Sequence, residues 1–252
     1  MDEKSIFGPR VAYYVQARPD YPPAVLACLC DEYGLQETAV IADIGSGTGK
    51  LARLFLEHGH RVFGVEPDAE MRAASELYLQ EFLRFTAVAG SAEATTLPDG
   101  SADVIAAGQA AHWFNLEGAQ REFRRIGRAG GLVALVWNQR DRDDALIQGF
   151  DELVRTYRRP AEELRRANAA PADISILVGP QAQRHTFPHA QDLDFADLTA
   201  RMLSISFMPL PGEPNHEALL AELRKLFAAH EVNGCVHLPY KTELYVGRLD
   251  EV

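Results

Sequence analysis

A glycine-rich turn that follows a buried apolar run is the feature that most constrains the fold of this chain. The run from Ala39 to Ile44 is apolar except for Asp43, which is typical of a strand buried on both faces of a sheet. Three glycines then alternate with polar residues, at Gly45, Gly47 and Gly49. Glycine adopts positive φ and lets a ligand come close to the backbone, and the helix that follows offers free N–H groups at its positive end. The turn therefore predicts a strand, a ligand-binding loop and a helix, in that order.

Short apolar runs and longer amphipathic stretches alternate after this turn. Asp68 predicts the N-cap of a helix that runs to about Gln80, and a later helix, from Leu116 to Ile126, is predicted to end at Gly130-Gly131. Strands that alternate with helices pair in parallel through right-handed crossovers. The further strands are predicted at Arg61–Glu66, Phe85–Ala89, Asp103–Ala107 and Leu132–Trp137. The fold class is therefore α/β, with an open, doubly wound sheet.

The pattern beyond Asn138 is looser and predicts a helical region followed by the last strands. The elements predicted there are a helix over 145–169 with a break near Pro160, a strand at Arg184–Phe187, helices at Leu193–Leu203 and His216–His230, and a final antiparallel strand from Val236 to Val246. We predict one domain of 252 residues. It comprises an N-terminal helical lid (1–37), a cofactor-binding core (38–140), and substrate-side helices with the final strands (141–252).

Charge and apolar patterning exclude several classes of function. The net charge of −11 argues against binding to a phosphate backbone, which requires clustered Lys and Arg. No run approaches the roughly 18 apolar residues of a membrane span, and the N-terminus does not resemble a signal peptide. We therefore expect a cytoplasmic protein, as a monomer or homodimer, that acts on a small molecule and not on nucleic acid.

The cysteines and histidines do not predict a disulfide framework or a metal site. The three cysteines, Cys28, Cys30 and Cys235, are an odd number and contain no CxxC pair, as suits a reducing compartment. Neither Cys28-x-Cys30 nor the pair His185 and His189 has the companion ligands of a zinc site in sequence. We therefore predict no bound metal.

Two residues near the glycine turn distinguish between possible cofactors. A dinucleotide-binding turn needs a glycine where this chain has Lys50, and Asp43 would repel a pyrophosphate. S-adenosylmethionine has no phosphate, and its ammonium and sulfonium groups favour a neighbouring acid. Glu66, about twenty residues further on, is placed to accept the ribose hydroxyls, but dinucleotide enzymes share this feature. An NAD(P)-dependent oxidoreductase therefore stays open as the alternative function.

Several segments in chain order resemble the motifs of class I S-adenosylmethionine-dependent methyltransferases. They are Asp43-Ile44-Gly45-Ser46-Gly47-Thr48-Gly49, Val65-Glu66-Pro67, Gly90-Ser91-Ala92-Glu93, Ala111-His112-Trp113-Phe114 and Gly130-Gly131. The similarity covers residues 7–140, and the opening Ala17-Arg18-Pro19-Asp20-Tyr21-Pro22 resembles a subgroup that includes ubiquinone-biosynthesis and trans-aconitate methyltransferases. The resemblance implies a Rossmann-like, seven-stranded sheet in the order 3-2-1-4-5-7-6 with strand 7 antiparallel. It also implies S-adenosylmethionine as the cofactor.

The motifs and the resemblance together nominate the cofactor-binding residues. Where many relatives have Cys, this chain has Ser46, and we expect no consequence because the backbone makes the contact. Met71 is placed either to pack against the adenine or to fill the core, and the turn at Ala92 is expected at the polar edge of the adenine. The candidate cofactor residues are Asp43, Gly45, Ser46, Gly47, Gly49, Glu66, Pro67, Met71, Ser91, Ala92, Glu93 and Gln109.

The segment after the fourth strand is expected to border the transferred methyl group, because ligands of open α/β sheets lie at the carboxyl ends of the strands. His112 is the candidate catalytic base, since the ordinary pKa of histidine lies near neutrality; the alternative is a histidine that braces the loop. Trp113, Tyr13 and Arg18 complete the candidate substrate residues, with Arg18 placed to meet a carboxylate or to lie exposed on an N-terminal helix. A member of the family that binds the cofactor without catalysis stays a further alternative.

Overall fold

Seven strands form one sheet in this computed structural model, which describes residues 10–159 and 174–249. The strands are β1 (Val40–Ile44), β2 (Arg61–Val65), β3 (Phe85–Val88), β4 (Ala102–Gly108), β5 (Gly127–Arg140), β6 (Gln183–Leu193) and β7 (Val236–Arg248). Their order is β3-β2-β1-β4-β5-β7-β6, with β7 antiparallel. The predicted fold class, strand order and direction of the seventh strand are confirmed.

Helices separate the first five strands, except that the described segment between β3 and β4 is a loop without a helix. They are α1 (Val11–Ala17), α2 (Pro23–Tyr33), α3 (Lys50–Glu57), α4 (Ala69–Tyr78), α5 (Leu116–Ile126), α6 (Ala145–Tyr157), α7 (Ser175–Val178), α8 (Phe195–Leu203) and α9 (His216–His230). The predicted N-cap at Asp68 is confirmed, because its side chain accepts hydrogen bonds from the amides of Glu70 and Met71. The predicted break near Pro160 lies outside the described residues.

The chain divides into two compact units. The described part of the larger unit comprises 20–138, 174–187 and 242–249, and that of the smaller comprises 10–19, 139–159 and 188–241. The predicted division into lid, core and substrate-side segments stays a prediction.

The larger unit buries both faces of its parallel strands. Along β4, Val104 and Ala106 pack into one apolar cluster, whereas Ile105 and Ala107 pack into the other. This alternation follows from the period of two in a strand, and it explains why the central strands are apolar at nearly every position. Because both faces are covered, polar groups concentrate at the strand ends.

The smaller unit is built on an apolar cluster that includes Phe150, Leu198 and Leu238. Arg10, only 1% exposed, donates from Nη1 to the carbonyl of Leu203 at 2.6 Å and from Nη2 to that of Met208 at 2.5 Å. It thereby satisfies the carbonyl at the end of α8, which has no partner within the helix, and a carbonyl of the turn that follows.

Three predicted boundaries were wrong. Gly130-Gly131 does not end α5; the helix stops at Ile126, and the glycines lie within β5, where Gly130 has φ +73°. The register between β4 and β5 shifts in this region, so the glycines accommodate an irregular strand. β6 extends well beyond the predicted Arg184–Phe187 and includes Leu193, which was predicted to begin a helix.

Within 10–159 and 174–249, none of the helices combines the length and apolarity of a membrane span.

Candidate functional site

The carboxyl ends of neighbouring strands in the larger unit bring the predicted cofactor residues together. Strand β1 lies between β2 and β4, with Asp43 paired to Gly64 on one side and to Ala106 on the other. Glu66 follows β2 directly, and Gln109 follows β4 directly. In an open sheet this edge, where the strand order reverses around β1, is where ligands bind.

The glycine turn is held against β2 by its backbone. The amides of Gly45 and Ser46 both donate to the carbonyl of Val65, at 2.8 and 3.1 Å. Gly45 has φ +65°, and a Cβ there would come within 2.7 Å of the Cβ of Ala110. Gly47 has φ +54° and faces open space, so its backbone stays accessible to a ligand. The turn therefore combines a tightly packed start with an open middle.

Asp43 is a buried acid with unsatisfied hydrogen-bonding capacity. It is 1% exposed, and within the described residues neither carboxylate oxygen makes a well-aligned hydrogen bond, although the amide of Ala52 lies near it. Burial raises the pKa of Asp43 to about 7, and the negative charge of Glu66 adds to this, while the amide of Ala52 opposes it. An unpaired buried carboxylate is costly, so this position favours a cationic ligand.

Glu66 is also buried, at 8% exposure, but it is well bonded. Its Oε2 accepts from the amide of Gly47 and its Oε1 from the amide of Asp68, both at 2.9 Å. Burial raises the pKa of Glu66, and these two hydrogen bonds oppose the change. Each oxygen keeps a further lone pair, which a ribose hydroxyl can use.

Two hydroxyls of the turn add to the unsatisfied polar groups. The side chains of Ser46 and Thr48 are buried, and neither hydroxyl oxygen has a hydrogen-bond partner among the residues that the structure describes. Buried polar atoms are normally satisfied, so a group of them around one loop suggests a ligand. S-adenosylmethionine fits this set, because its ammonium and sulfonium suit Asp43 and its carboxylate suits the two hydroxyls. Thr48 was not among the predicted site residues, although it lies within the glycine motif.

In the loop after β3, Ala92 is positioned to contact a cofactor, whereas Glu93 is hydrogen-bonded to another part of the larger unit. Ser91 and Ala94 exchange two backbone hydrogen bonds, which form a tight turn around buried Ala92. The carboxylate of Glu93 accepts from the amide of Asn115 at 2.7 Å. Glu93 therefore braces the start of α5. Met71 is buried in α4, and Pro67 is exposed beside Glu66.

Gln109 adopts a conformation that is uncommon for a residue with a side chain. Its φ is +57°, its amide donates to the carbonyl of Val136 at 2.9 Å, and its Nε2 donates to the carbonyl of Asn138 at 3.0 Å. Such strain is typical of functional positions. Sequence reasoning missed Asn138, which also bonds the carbonyl of Asp20, and Tyr21, whose ring packs beside Gly108.

His112 and Trp113 lie in a short 3₁₀ helix, Ala111–Trp113, just after Gln109. Their ring centroids are 5.2 Å apart, and Trp113 is 38% exposed, which is unusual for so large an apolar side chain. His112 is half-buried. Trp113 therefore presents part of its ring to solvent just after the carboxyl end of β4.

The other two predicted substrate residues belong to the smaller unit. Tyr13 packs at the margin of its apolar cluster. Arg18 donates from Nε to the hydroxyl of Ser204 at 3.0 Å and from Nη2 to its carbonyl at 3.1 Å, and it lies over the ring of Tyr14. Arg18 is therefore held in place and is not a freely exposed side chain.

Sequence reasoning also missed a group of potential metal ligands in the larger unit. One ligand atom each from Cys28, Glu32 and His185 lies within 4.8 Å of the others. Glu32 is the companion that the sequence did not reveal, because β6 is distant from α2 along the chain. Glu32 is exposed, and such groups are common without an ion; the absence of a metal stays a prediction.

Known proteins resemble this chain over most of its length. Residues 42–135 match the family described as "Methyltransferase domain". A methyltransferase-like protein of Schizosaccharomyces pombe, C25B8.10, is uncharacterized and is 31% identical over 221 residues, which span 87% of this chain and 85% of that protein. The uncharacterized methyltransferase Rv3342 of Mycobacterium tuberculosis is 30% identical over 240 residues, spanning 94% and 92%.

A solved structure agrees with the fold. A candidate type II methyltransferase from Anaeromyxobacter dehalogenans superimposes with a TM-score of 0.64 at 21% identity, covering 92% of this chain and 98% of that one. At this identity the likeness supports the fold alone.

Proposed function

The chain belongs to the class I S-adenosylmethionine-dependent methyltransferases, and we propose that it transfers a methyl group from S-adenosylmethionine to an oxygen, nitrogen or carbon atom of a small molecule. The observation that supports this most is the buried, unbonded carboxylate of Asp43 beside Glu66. A ligand with cationic groups offsets the cost of that buried acid, whereas a dinucleotide would bring a pyrophosphate toward two carboxylates. Membership in this family also disfavours the oxidoreductase alternative.

The residues have distinct roles in this proposal. Bound S-adenosylmethionine supplies a methyl group that its positive sulfur already activates toward nucleophiles. Asp43 and the hydroxyls of Ser46 and Thr48 hold the methionine portion, and Glu66 accepts the ribose hydroxyls. The turn at Ala92 meets the adenine edge. The other proposed contacts are Gly45, Gly47, Gly49, Pro67, Met71, Ser91 and Gln109, whereas Glu93 supports the loop from outside the site.

His112 is proposed to hold the proton that the acceptor loses. His112 lies in the short 3₁₀ helix Ala111–Trp113, which follows Gln109. The positive φ of Gln109 turns the chain into this helix at the carboxyl end of β4. Alignment and the exclusion of water supply much of the rate in methyl transfer, so we expect His112→Gln to lower kcat by about 100-fold or less. It should also flatten the pH profile of kcat while the KM for S-adenosylmethionine is unchanged. A histidine that only braces the loop would change stability and leave the pH profile as it was.

A small-molecule acceptor agrees with the charge of the chain. The net charge of −11 disfavours a polyanionic nucleic acid. All three cysteines are free, as suits a reducing cytoplasm, where we propose the enzyme acts. We propose a monomer or homodimer.

Two measurements test the proposal on the full chain. Calorimetric titration with S-adenosylhomocysteine and, separately, with NADH should give binding for the first only; binding of NADH alone would overturn the proposal. Incubation of a metabolite extract with isotopically labelled methyl donor should then label small molecules. Cofactor binding without any labelled product, also from peptide and RNA pools, would indicate the non-catalytic alternative.

A further inference from the structure

Three arginines of the smaller unit are near enough for their charges to interact, and one of them is buried without full hydrogen bonding. Arg18 follows α1, Arg140 ends β5 and Arg201 lies in α8. Arg201 is 4% exposed, its Nε donates to the hydroxyl of Tyr240 at 3.2 Å, and its buried Nη1 has no hydrogen-bond partner in the described chain. A guanidinium nitrogen in this state is costly unless a ligand meets it.

The positive charge of this group is not neutralised by the protein. Arg140 pairs with Asp151 at 2.7 Å, but within the described residues neither Arg18 nor Arg201 forms an ion pair with an acid. Burial lowers the pKa of Arg18 to about 10, and the charge of Arg201 contributes to this. Burial and Arg201 also lower the pKa of Arg140. The three guanidinium groups therefore repel one another, and only that of Arg140 is paired with a carboxylate.

Neutral groups fix the arginines in position. The hydroxyl of Tyr240, which accepts from Arg201, donates to Gln191 Oε1 at 3.1 Å. The hydroxyl of Ser204, which accepts from Arg18, donates to the carbonyl of Arg201 at 2.8 Å. These bonds orient the guanidinium groups without cancelling their charge, which is the arrangement expected of a preorganised anion site.

We propose that Arg18, Arg140 and Arg201 bind an oxyanion of a small organic molecule, a carboxylate or a phosphate, with Arg201 Nη1 as a donor to it. The planar donor set of a guanidinium matches such oxyanions, and one or two negative charges offset the excess of positive charge. The sequence nominated Arg18 for contact with a carboxylate, but it did not indicate Arg140 or Arg201, because the three residues are far apart along the chain.

Binding is tested on the full chain without S-adenosylmethionine. The probes are tricarballylate for carboxylates, inorganic phosphate for phosphates, and glycerol as a neutral analogue with the same carbon chain. We expect calorimetry to detect one of the two anions with a Kd below about 10 mM and to detect no binding of glycerol. Whichever anion binds more tightly identifies the class. Binding of neither anion would overturn the proposal.

Variants assign the binding to these arginines. Arg201→Gln should weaken it about tenfold or more, while the free variant is as stable as the parent or more stable, since an unpaired buried charge is removed. The matched control, Arg142→Gln, replaces an exposed arginine of the same unit and should leave the Kd unchanged. An equal loss of anion affinity in both variants would indicate nonspecific attraction to positive charge and would contradict the proposed site. If Arg201→Gln does not fold, Arg18→Gln serves in its place.

These results are separable from the proposed function. Binding of S-adenosylhomocysteine without binding of either anion would overturn the oxyanion site alone. Binding of an anion without S-adenosylhomocysteine would overturn the proposed function alone.

Discussion

The backbone amide of Gly47 donates a hydrogen bond of 2.9 Å to Oε2 of Glu66. This bond joins the middle of the glycine turn to the acid that ends the neighbouring strand. Glu66 therefore has two functions in the proposed site: it shapes the turn, and it presents the remaining lone pairs of its carboxylate to a ligand. The turn and the acid are expected to act as one unit, so changing either should affect cofactor affinity.

Glu66→Gln tests this coupling. The amide nitrogen of glutamine cannot accept a hydrogen bond, so one of the bonds from Gly47 and Asp68 is lost together with the charge. We expect the affinity for S-adenosylhomocysteine to fall by about 1 to 3 kcal/mol, measured by calorimetry. The control, Glu70→Gln on the exposed face of α4, should bind as the parent does. An unchanged affinity in Glu66→Gln would mean that the ribose lies elsewhere.

Asp43→Asn should change how stability depends on pH. The folded pKa of Asp43, about 7, lies above its ordinary value of 3.8. The neutral acid is thus favoured by folding, and the stability that it contributes is present in full below about pH 3.8 and is lost as pH rises through 7. Relative to the parent, Asp43→Asn should gain up to about 4 kcal/mol of unfolding free energy between pH 4 and pH 8.

Urea unfolding at a series of pH values measures this difference. For the exposed variant Asp31→Asn, the unfolding free energy relative to the parent should not change with pH over this range. If the same is found for Asp43→Asn, Asp43 is hydrated or paired in solution.

The affinity for the cofactor product should itself depend on the protonation of Asp43. Ionised Asp43 attracts the ammonium of S-adenosylhomocysteine, whereas the neutral acid does not. Because the pKa is about 7, binding should weaken as pH falls from 8 to 6, by up to about tenfold per unit below 7. Titrations in buffers of different ionisation enthalpy should also show proton release near pH 7. Asp43→Asn should bind weakly at every pH; a pH dependence that persists in this variant would assign it to another group.

Gly45→Ala probes the packed start of the turn. The new Cβ would lie 2.7 Å from that of Ala110, and the residue would keep a φ of +65°. Gly59→Ala is a matched control, since its φ is +82° but nothing lies within 4 Å. We expect Gly59→Ala to cost about 1 kcal/mol from backbone strain alone, and Gly45→Ala to cost about 1 to 3 kcal/mol more. Equal losses in thermal unfolding would show that Ala110 moves away without cost.

Local patterns predicted the sheet and the strand-end residues, because both depend on neighbours in sequence. Strand and helix periods place Asp43 near the end of β1 and Glu66 and Gln109 just after β2 and β4, and parallel pairing then brings them to one edge. Contacts between distant segments could not be predicted in this way. The hydrogen bond from Gln109 to Asn138 depends on the register between β4 and β5. The end of α5 was predicted wrongly at Gly130 because glycine is common both after a helix and in an irregular strand.

The pair Glu122 and Thr95 is a second case of a contact hidden from sequence, and it leads to a prediction about acid stability. Glu122 Oε1 accepts from the amide of Thr95 at 2.8 Å and from its hydroxyl at 2.6 Å. Arg125 also bonds to this carboxylate, and together these groups lower the pKa of Glu122 to about 2. These hydrogen bonds hold the loop that carries Ala92, and Ala92 is the proposed contact of the adenine.

Glu122→Gln should destabilise the protein at neutral pH and not in strong acid. The folded pKa lies below the ordinary value of 4.5, so this stability is present above about pH 4.5 and is lost as pH falls through about 2. Allowing for solvent around the partly exposed Arg125, we expect a loss of roughly 2 kcal/mol at pH 7. Urea unfolding at pH 7 and pH 3 should show the difference narrowing in acid, while the exposed Glu81→Gln has little effect at either pH. A loss of equal size at both pH values would mean that glutamine fails to pack there, and that the charge of Glu122 contributes little.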